Sequence, residues 1–522
     1  MNLPYEQADA ILHQMTLEQK IGQLVMASIE VTELDDAARR FLRENYVGNV
    51  ILFGKNCRDR AQLARLTRQI QQEAMAYSGV QALISIDQEG GNVTRIRQGA
   101  TVFPCAAAVR ATGDPENAYF AGRMMGDEMR ALGIHYDLAP VLDTNGAQMR
   151  QAPSRRSYGP VWQETAQYGG RFAQGLRDAG IIDCGKHFPG SGDSAVDTHF
   201  ATSVVRLSAE EAREKAVSAF RQVMGEGLRS IMTSHDCFPG LDPACIPTTL
   251  SRKILRELVR EELGFEGLII SDGMQMLAIA DVYGAPQGCV MAVEAGCDLV
   301  ITGNGGDNAD LHGDDVQTPC IRAMLEAVHD GRLSRARVEE SARRVIAFKL
   351  MLGELRPAED AEQRDWRTHE AFSQAIADTA VSVLQDTAGV IPVPQGTLFL
   401  SRYSAARLGV EEGDHLVDGF APLAARLLGG KALEFHQRPE VDAWAEQIRE
   451  APAVIVGVAN GAEYRELEAD LKRIQALNPR FGLVYQDAPI PDAPYAWAAC
   501  VVLGYDQTIK TMRAACRRLQ GK

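Results

Sequence analysis

GLIISDG, residues 267–273, is a short apolar run that ends in polar residues. Its apolar residues follow one another without alternation, which is typical of a strand buried on both faces. Seven other runs along the chain have the same character. With 267–271, they predict eight strands, the other seven being 23–28, 48–53, 82–87, 136–141, 180–188, 230–235 and 298–302.

Longer helical patterns, such as residues 208–224 and 251–263, separate these runs. Consecutive buried strands that alternate with helices favour a parallel sheet with helices on its outside. Eight such units over about 300 residues predict an α/β fold of the (β/α)8 TIM-like barrel type.

The pattern changes at the charged segment 356–370, and a second α/β pattern begins near Val381. Here we predict a smaller open-sheet domain, an αβα sandwich. We expect a barrel catalytic domain at 1–355, a linker with a connecting helix at 356–385 and the sandwich at 386–522. Its predicted strands and the helix between the last two read TLFLS, PAVIVGV, FGLVYQ and AEYRELEADLKRIQAL.

Composition limits the partners and the compartment. Lys and Arg number 54 against 69 Asp and Glu, so the formal net charge is −15 and disfavours nucleic acid and anionic membrane surfaces. The first residues lack the basic start and apolar core of a signal peptide, and no run approaches the roughly 18 apolar residues of a membrane helix. The ten cysteines are scattered without a C-x-x-C pair, which favours a reducing compartment, so we expect a cytoplasmic protein.

Polar residues follow several of the predicted strands. Active sites of α/β barrels form at the carboxyl ends of the strands, where these side chains converge. A charged group there needs a partner or a ligand because burying it alone is costly. The residues concerned are Asp87, Lys186, His187, His235, Asp236 and Asp272.

The segment 186–199, KHFPGSGDSAVDTH, leaves a strand through a loop rich in Pro and Gly. Such a loop would place Asp197 and His199 over the barrel mouth. A carboxylate beside a histidine fixes its tautomer and raises its basicity, which suits a group that serves first as acid and then as base.

This segment resembles the loop K-H-F-P-G-x-G-x-x-x-x-D-[ST]-H of the β-N-acetylglucosaminidases in glycoside hydrolase family 3, and it meets every fixed position. The stretch DQEGGNVTR (87–95) is similar to the sugar-binding turn of that family. RSYG (156–159) resembles its R-S-F-G, and residues 264–272 resemble its nucleophile strand. The likeness covers roughly residues 10–350, which is more than one motif could give by chance.

The resemblance implies a role for each matching residue. Asp272 would attack the anomeric carbon, while His199, paired with Asp197, would shuttle the proton. Neither a cofactor nor a metal would be required. The sugar would be held by Asp87, Arg95, Arg156, Lys186 and His187.

The chain departs from the family pattern in two single residues and one loop. Gly273 stands where a second acidic residue often follows the nucleophile, and Ser191 stands where His is common. Residues 144–150 read TNGAQMR in place of an N-P-x-N-P type of stretch. These changes affect the expected substrate preference more than the expected reaction.

Simpler interpretations exist for the same residues. Asp272 alone is also a reasonable helix N-cap, and the Asp197–His199, Arg95 and Arg156 positions suit ordinary surface ion pairs. His and Asp residues of the loop resemble metal ligands, but the neighbouring Lys186 would repel a cation. Barrel context and family resemblance together favour catalysis.

We therefore expect a retaining exo-β-N-acetylglucosaminidase that acts on a small carbohydrate, a GlcNAc-terminated glycan of the kind released from peptidoglycan during recycling. It would work as a monomer or homodimer. A β-glucosidase or glycoside phosphorylase on the same scaffold is one alternative, and an inactive sugar-binding protein is another.

Overall fold

The computed structural model describes residues 3–144, 155–190, 203–303, 315–403, 419–489, 495 and 497–522. All eight predicted barrel strands are present in one parallel sheet. Their bounds are Val25–Ser28 (β1), Asn49–Leu52 (β2), Leu83–Ile86 (β3), Tyr136–Asp137 (β6), Cys184–Phe188 (β7), Ser230–Thr233 (β8), Leu268–Gly273 (β9) and Leu299–Ile301 (β10). Between β3 and β6 lies the hairpin of Gln88–Gly90 (β4) and Val93–Thr94 (β5).

The strands follow each other in chain order around the barrel, and β10 pairs with β1. The barrel closes between β6 and β7 through isolated backbone bonds, such as Asp137 N to Ile182 O at 2.9 Å and Cys184 N to Ala139 O at 2.7 Å. The strand β6 is shorter than the predicted 136–141. Pro140 has no amide hydrogen, and the regular ladder stops before it.

Helices surround this barrel, as the alternating pattern predicted. Two segments, Ala212–Val217 and Lys253–Glu262, are wound as π-helix. The α-helices of this part are Tyr5–Leu12 (α1), Leu17–Gly22 (α2), Asp36–Glu44 (α3), Arg60–Ser78 (α4), Ala106–Ala111 (α5), Glu116–Ala131 (α6), Trp162–Asp178 (α7), Ala209–Glu211 (α8), Ser218–Gly225 (α9), Leu277–Tyr283 (α10), Ala285–Ala295 (α11), Gln317–His329 (α12), Arg335–Leu352 (α13) and Arg367–Ala380 (α14), with single 3-10 turns at Gly54–Asn56 and Thr248–Leu250.

A second, six-stranded sheet forms the remainder, in the order β11-β16-β15-β14-β12-β13. Only its edge strand β11 runs antiparallel to its neighbour. The strands are Ser382–Asp386 (β11), Leu398–Arg402 (β12), Lys431–Phe435 (β13), Val454–Val458 (β14), Phe481–Tyr485 (β15) and Cys500–Leu503 (β16), and the helices are Phe420–Leu428 (α15), Ala445–Glu450 (α16), Gly461–Leu477 (α17) and Ile509–Leu519 (α18).

Separate apolar cores cover the two faces of this second sheet. One core includes Tyr464 and Leu467 of α17, and the other includes Leu423 of α15 and Met512 of α18. The predicted αβα sandwich is therefore confirmed. Over the described parts of the chain, none of the helices has the length and apolar character needed to cross a membrane.

Candidate active site

Lys186 holds its ammonium group between two carboxylates at the carboxyl ends of the barrel strands. It lies in β7, and Asp87 directly follows β3. Its Nζ is 2.6 Å from Asp87 Oδ1 and 2.7 Å from Glu89 Oε1. Only 1% of Lys186 is exposed, and a buried ammonium of this kind requires such partners.

Glu89 also binds Arg156 through two parallel hydrogen bonds. Arg156 Nε donates to Glu89 Oε2 and Nη2 donates to Oε1, each at 2.7 Å. This two-bond geometry gives an ion pair both strength and direction. Our sequence candidates did not include Glu89, although it lies inside the stretch 87–95. The available signal was a glutamate two residues after Asp87, directly before two glycines.

The ion-pair network fixes the charge of its members. Burial would raise the pKa of the Glu89 carboxyl, but the adjacent Arg156 and Lys186 cations outweigh it and hold that pKa well below its usual range. Burial would lower the pKa of Lys186, yet Asp87 and Glu89 raise it above its usual value. Burial likewise opposes the charge of Arg156, and Glu89 raises its pKa. All three groups are therefore charged near neutral pH.

Arg95 joins the network from the β4–β5 hairpin. Its Nη2 is 3.6 Å from Asp87 Oδ2, a contact between charges that is longer than a hydrogen bond. Gln88 Oε1 accepts the Arg95 backbone N–H at 2.9 Å, which fixes the end of the hairpin. The guanidinium also lies 5.8 Å from the ring centre of Phe53, within the range of a cation–π contact.

Asp137 lies beneath this network at the end of β6. Its Oδ1 accepts the Gln88 N–H at 2.9 Å, and its Oδ2 has no hydrogen-bond partner among the described residues. Burial raises the pKa of Asp137 well above its usual value, and the negative charges of Asp87 and Glu89 act in the same direction. The Gln88 N–H and the Lys186 cation lower the pKa of Asp137, but burial outweighs them, so this environment favours the protonated form of the carboxyl.

His187 is held by Asp143 through both its backbone and its ring. The His187 N–H donates to Asp143 Oδ1 at 3.1 Å, and Nδ1 lies 2.7 Å from Oδ2. A carboxylate oxygen accepts hydrogen bonds, so Nδ1 carries the proton and the tautomer is fixed. Asp143 is only 1% exposed, and it was another residue missing from our sequence candidates.

Asp272 is the half-buried residue before the last position of β9. Its Oδ1 accepts the N–H of Gly273 at 2.7 Å. The Gly273 carbonyl in turn accepts a hydrogen bond from His235 Nε2 at 3.0 Å, and His235 Nδ1 lies 2.8 Å from Thr249 Oγ1. His235 is fully buried, so this bond fixes the backbone directly after the carboxylate.

The structure thus brings Asp87, Arg95, Arg156 and Lys186 into one cluster, with His187 next to Lys186 in the chain. Asp272 lies on the same rim of the barrel, on the strand β9, which is separated from β7 only by β8. Asp197 and His199 lie outside the described residues, as do Ser191 and positions 145–150.

This arrangement has a clear chemical capacity. Lys186, Arg95 and Arg156 are fixed donors that can bind the hydroxyl or carbonyl oxygens of a polar ligand, and the carboxylates of the cluster accept its hydroxyl hydrogens. The half-buried carboxylate of Asp272 is suited to act as a nucleophile. Among the described residues, no group of three His, Cys, Asp or Glu side chains is arranged to hold a metal ion.

Comparison with known families gives a match over most of the barrel. Residues 16–348 match the family described as glycosyl hydrolase family 3 N terminal domain. A β-hexosaminidase of Thiobacillus denitrificans is 35% identical over 315 residues, which cover 58% of this chain and 86% of that protein.

Solved structures extend the likeness to both domains. A glycoside hydrolase family 3 β-N-acetylglucosaminidase from Paenibacillus sp. str. FPU-7 matches with a TM-score of 0.88 and 31% identity, covering 97% of each chain. The β-glucoside phosphorylase BglX matches with a TM-score of 0.80 over 100% of this chain and 95% of that chain. Its identity is 20%, so this second likeness concerns the fold alone.

Proposed function

Because this chain belongs to glycosyl hydrolase family 3 and is a glycoside hydrolase, we propose that it is a retaining exo-β-N-acetylglucosaminidase. The observation that carries the proposal is the position of Asp272. A half-buried carboxylate ends a barrel strand on the same rim as the cluster of Lys186, Arg156 and Arg95. The proposed ligand is a terminal β-linked GlcNAc residue, which is neutral and rich in oxygen atoms.

The proposed reaction has two steps. Asp272 attacks the anomeric carbon and forms a glycosyl ester, while His199 gives its proton to the oxygen of the leaving group. A water molecule then gives a proton to His199 and attacks the anomeric carbon, which releases GlcNAc and regenerates the Asp272 carboxylate. Each step inverts the anomeric centre once, so the overall reaction retains its configuration.

In this proposal the imidazole of His199, fixed by Asp197, replaces the second carboxylate that most retaining glycosidases use. An imidazole titrates near neutral pH, where one group serves well as acid and then as base. Support for both residues comes from the complete match of 186–199 to the loop of the β-N-acetylglucosaminidases in the family.

The described residues of the cluster would hold the sugar. Lys186 and Arg156 are already held by carboxylates, so they present their remaining N–H donors in fixed directions with little loss of side-chain entropy on binding. Arg95, Asp87 and His187 complete the proposed sugar site. The acetamido preference rests on the β-hexosaminidase relatives.

We further propose muropeptides derived from peptidoglycan as the natural substrate and the cytoplasm as the compartment. None of the ten cysteines forms a disulfide, which is consistent with reducing surroundings. In this view the barrel at 1–355 carries the chemistry, 356–385 connects the domains and 386–522 is the sandwich domain.

A turnover assay with p-nitrophenyl β-GlcNAc and p-nitrophenyl β-glucoside tests the proposal, each with and without inorganic phosphate. We expect the GlcNAc substrate to be preferred, and phosphate to leave the rate and the product unchanged. Faster cleavage of the glucoside contradicts the acetamido preference. Formation of a sugar 1-phosphate identifies a phosphorylase instead.

The variant Asp272→Asn is the matched control for the catalytic role. It keeps the size of the side chain but removes the nucleophile, so we expect turnover to fall by at least about 1000-fold, a loss of roughly 4 kcal/mol of transition-state stabilisation. Equal and negligible turnover of both proteins would favour a sugar-binding protein without enzymatic activity.

A further inference from the structure

Asp506 joins the second domain to the barrel domain at Cys105. Asp506 follows β16, and its side chain is fully buried. Its Oδ2 accepts the backbone N–H of Cys105 at 2.8 Å, while its Oδ1 accepts the N–H of Thr508 at 2.8 Å and the hydroxyl of Thr511. One carboxylate therefore joins the start of α18 to a backbone amide of the barrel domain.

The turn that presents Asp506 is conformationally costly. Tyr505 has a φ of 64°, in the left-handed region that residues with a side chain rarely adopt. Such a conformation is strained and persists only where surrounding contacts enforce it. The Tyr505 carbonyl faces the barrel as well, because it accepts a hydrogen bond from Cys105 Sγ at 3.6 Å.

Cys105 lies directly against the hairpin that carries Glu89. The Gly91 N–H donates to Phe103 O at 2.7 Å. Gly90 packs so closely that a Cβ there would lie 2.7 Å from the Pro104 carbonyl oxygen, and a Cβ on Gly91 would lie 2.6 Å from Cys105 Cβ. Backbone packs on backbone here, so a shift of 103–105 must move the hairpin.

The same segment also holds the chain before Arg156. Cys105 is the residue before α5, and in the first turn of that helix the Ala107 N–H donates to Arg155 O at 3.1 Å. The side chain of Arg155 points to the second sheet, where Nη1 lies 3.4 Å from Gln486 O and 3.5 Å from Ala459 O. Residues 103–107 therefore contact both the hairpin that carries Glu89 and the residue directly before Arg156.

A second anchor acts beside Asp506. Lys510, in α18, donates from Nζ to Val102 O at 2.9 Å, and Ser373 Oγ donates to the same carbonyl at 2.8 Å. The apolar side chains of this segment are continuous with the core of the second domain, which includes Cys105, Ala107 and Ala108.

We propose that the second domain is a clamp that positions the Glu89–Arg156 ion pair, and that Asp506 is its central positioning residue. The carboxyl edge of the second sheet, where an open α/β sheet commonly binds a ligand, holds the barrel domain here. The kinetic part of this inference rests on the proposed function. The structural part does not.

Amide hydrogen exchange and steady-state kinetics of the full chain test the clamp with the variant Asp506→Ala. We expect amides in 89–107 and 155–157 to exchange at least about 10-fold faster. In the variant, local opening of these residues no longer requires the hydrogen bonds of Asp506 to break. Amides of the barrel strand β1 should not change. With p-nitrophenyl β-GlcNAc we expect KM to rise about 10-fold and kcat to change less than about threefold, as for lost ground-state binding.

Asp386→Ala is the matched control, since Asp386 also accepts two backbone N–H groups, those of Val390 and Ile391, but within the second domain. It should leave exchange in 89–107 and the KM unchanged. Lys510→Met is the second variant, in case Asp506→Ala does not fold. We expect it to increase amide exchange in 89–107 by a smaller factor.

Unchanged exchange in 89–107 for a folded Asp506 or Lys510 variant overturns the clamp, as does an equal increase in the Asp386 control. If the wild type does not cleave GlcNAc glycosides, the proposed function fails, but the exchange experiment still decides whether the second domain holds this segment.

Discussion

Glu89 and Arg156 form a buried, two-bond ion pair although 67 residues separate them in the chain. Lys186 shares the same carboxylate at 2.7 Å, so Glu89 contacts two cations at once. Loss of the Glu89 charge therefore removes the two-bond partner of Arg156 and leaves Lys186 with the carboxylate of Asp87.

We predict that Glu89→Gln lowers the free energy of unfolding by about 3 to 5 kcal/mol, the usual cost of removing one partner from a buried pair. Chemical denaturation at pH 7 measures it. Glu164→Gln is the control, because Glu164 pairs with Arg110 at 2.7 Å but both are about one third exposed. That change should cost less than about 1 kcal/mol, and equal losses would contradict the prediction.

We predict that Asp143 fixes the tautomer and the orientation of the His187 ring, and that activity depends on both. In Asp143→Asn an amide group replaces the acceptor for the Nδ1 proton, so the imidazole loses its fixed orientation and tautomer. A displaced binding group can cost about 100-fold in rate, and we expect kcat/KM to fall by about 10- to 100-fold. Nitrogen NMR of the His187 ring should show a change from the Nδ1–H form. A fall in activity without a change in the tautomer of His187 would contradict this explanation.

His235 is predicted to act through the backbone after Asp272. His235→Ala removes the hydrogen bond to the Gly273 carbonyl, and a small displacement of the nucleophile should lower kcat by about 10- to 100-fold with little change in KM. His235→Gln, which retains an N–H donor, should recover part of the loss.

His135→Gln is the control for this prediction, since His135 is also a buried histidine but lies at the opposite end of the barrel, before β6. It should leave kcat unchanged. A loss of kcat in His135→Gln equal to that in His235→Ala would mean that disturbing any buried histidine has this effect.

Asp298 is predicted to govern stability in acid. Its carboxylate is buried beside Arg344, Arg260 and Arg337. Burial would raise the pKa of Asp298, but these three cations lower it to about 2, below the usual 3.8. The native state therefore holds fewer protons than the unfolded state between these values. The contribution of the ionised Asp298 to the free energy of unfolding is therefore complete above pH 3.8 and is lost as the pH falls towards 2.

We expect Asp298→Asn to be less stable than the wild type at pH 7, with a difference that shrinks between pH 4 and pH 2. Denaturation curves over this range measure it. Asp330→Asn is the control, since the exposed Asp330–Arg332 pair should not affect the free energy of unfolding measurably. A difference that stays constant with pH would contradict the assignment to Asp298.

The amino-acid sequence determined the barrel because its signal is local. Each strand is a run of apolar residues buried on both faces, and the eight runs could be found one at a time, from 23–28 to 298–302. The polar residues that follow these runs had to meet at one rim, because parallel strands share their carboxyl ends. Asp87, Lys186 and Asp272 were found in this way.

Only the tertiary structure decided which side chains hold one another. Lys186 and Asp87 are 99 positions apart, and Cys105 and Asp506 are 401 apart. In the sequence, Glu89, Asp143 and Asp506 can be recognised only as acidic residues. Their roles come from the partners that folding places beside them. Periodicity reports which face of an element is buried, but the pairing of charges depends on distances between elements, and no local pattern contains those distances.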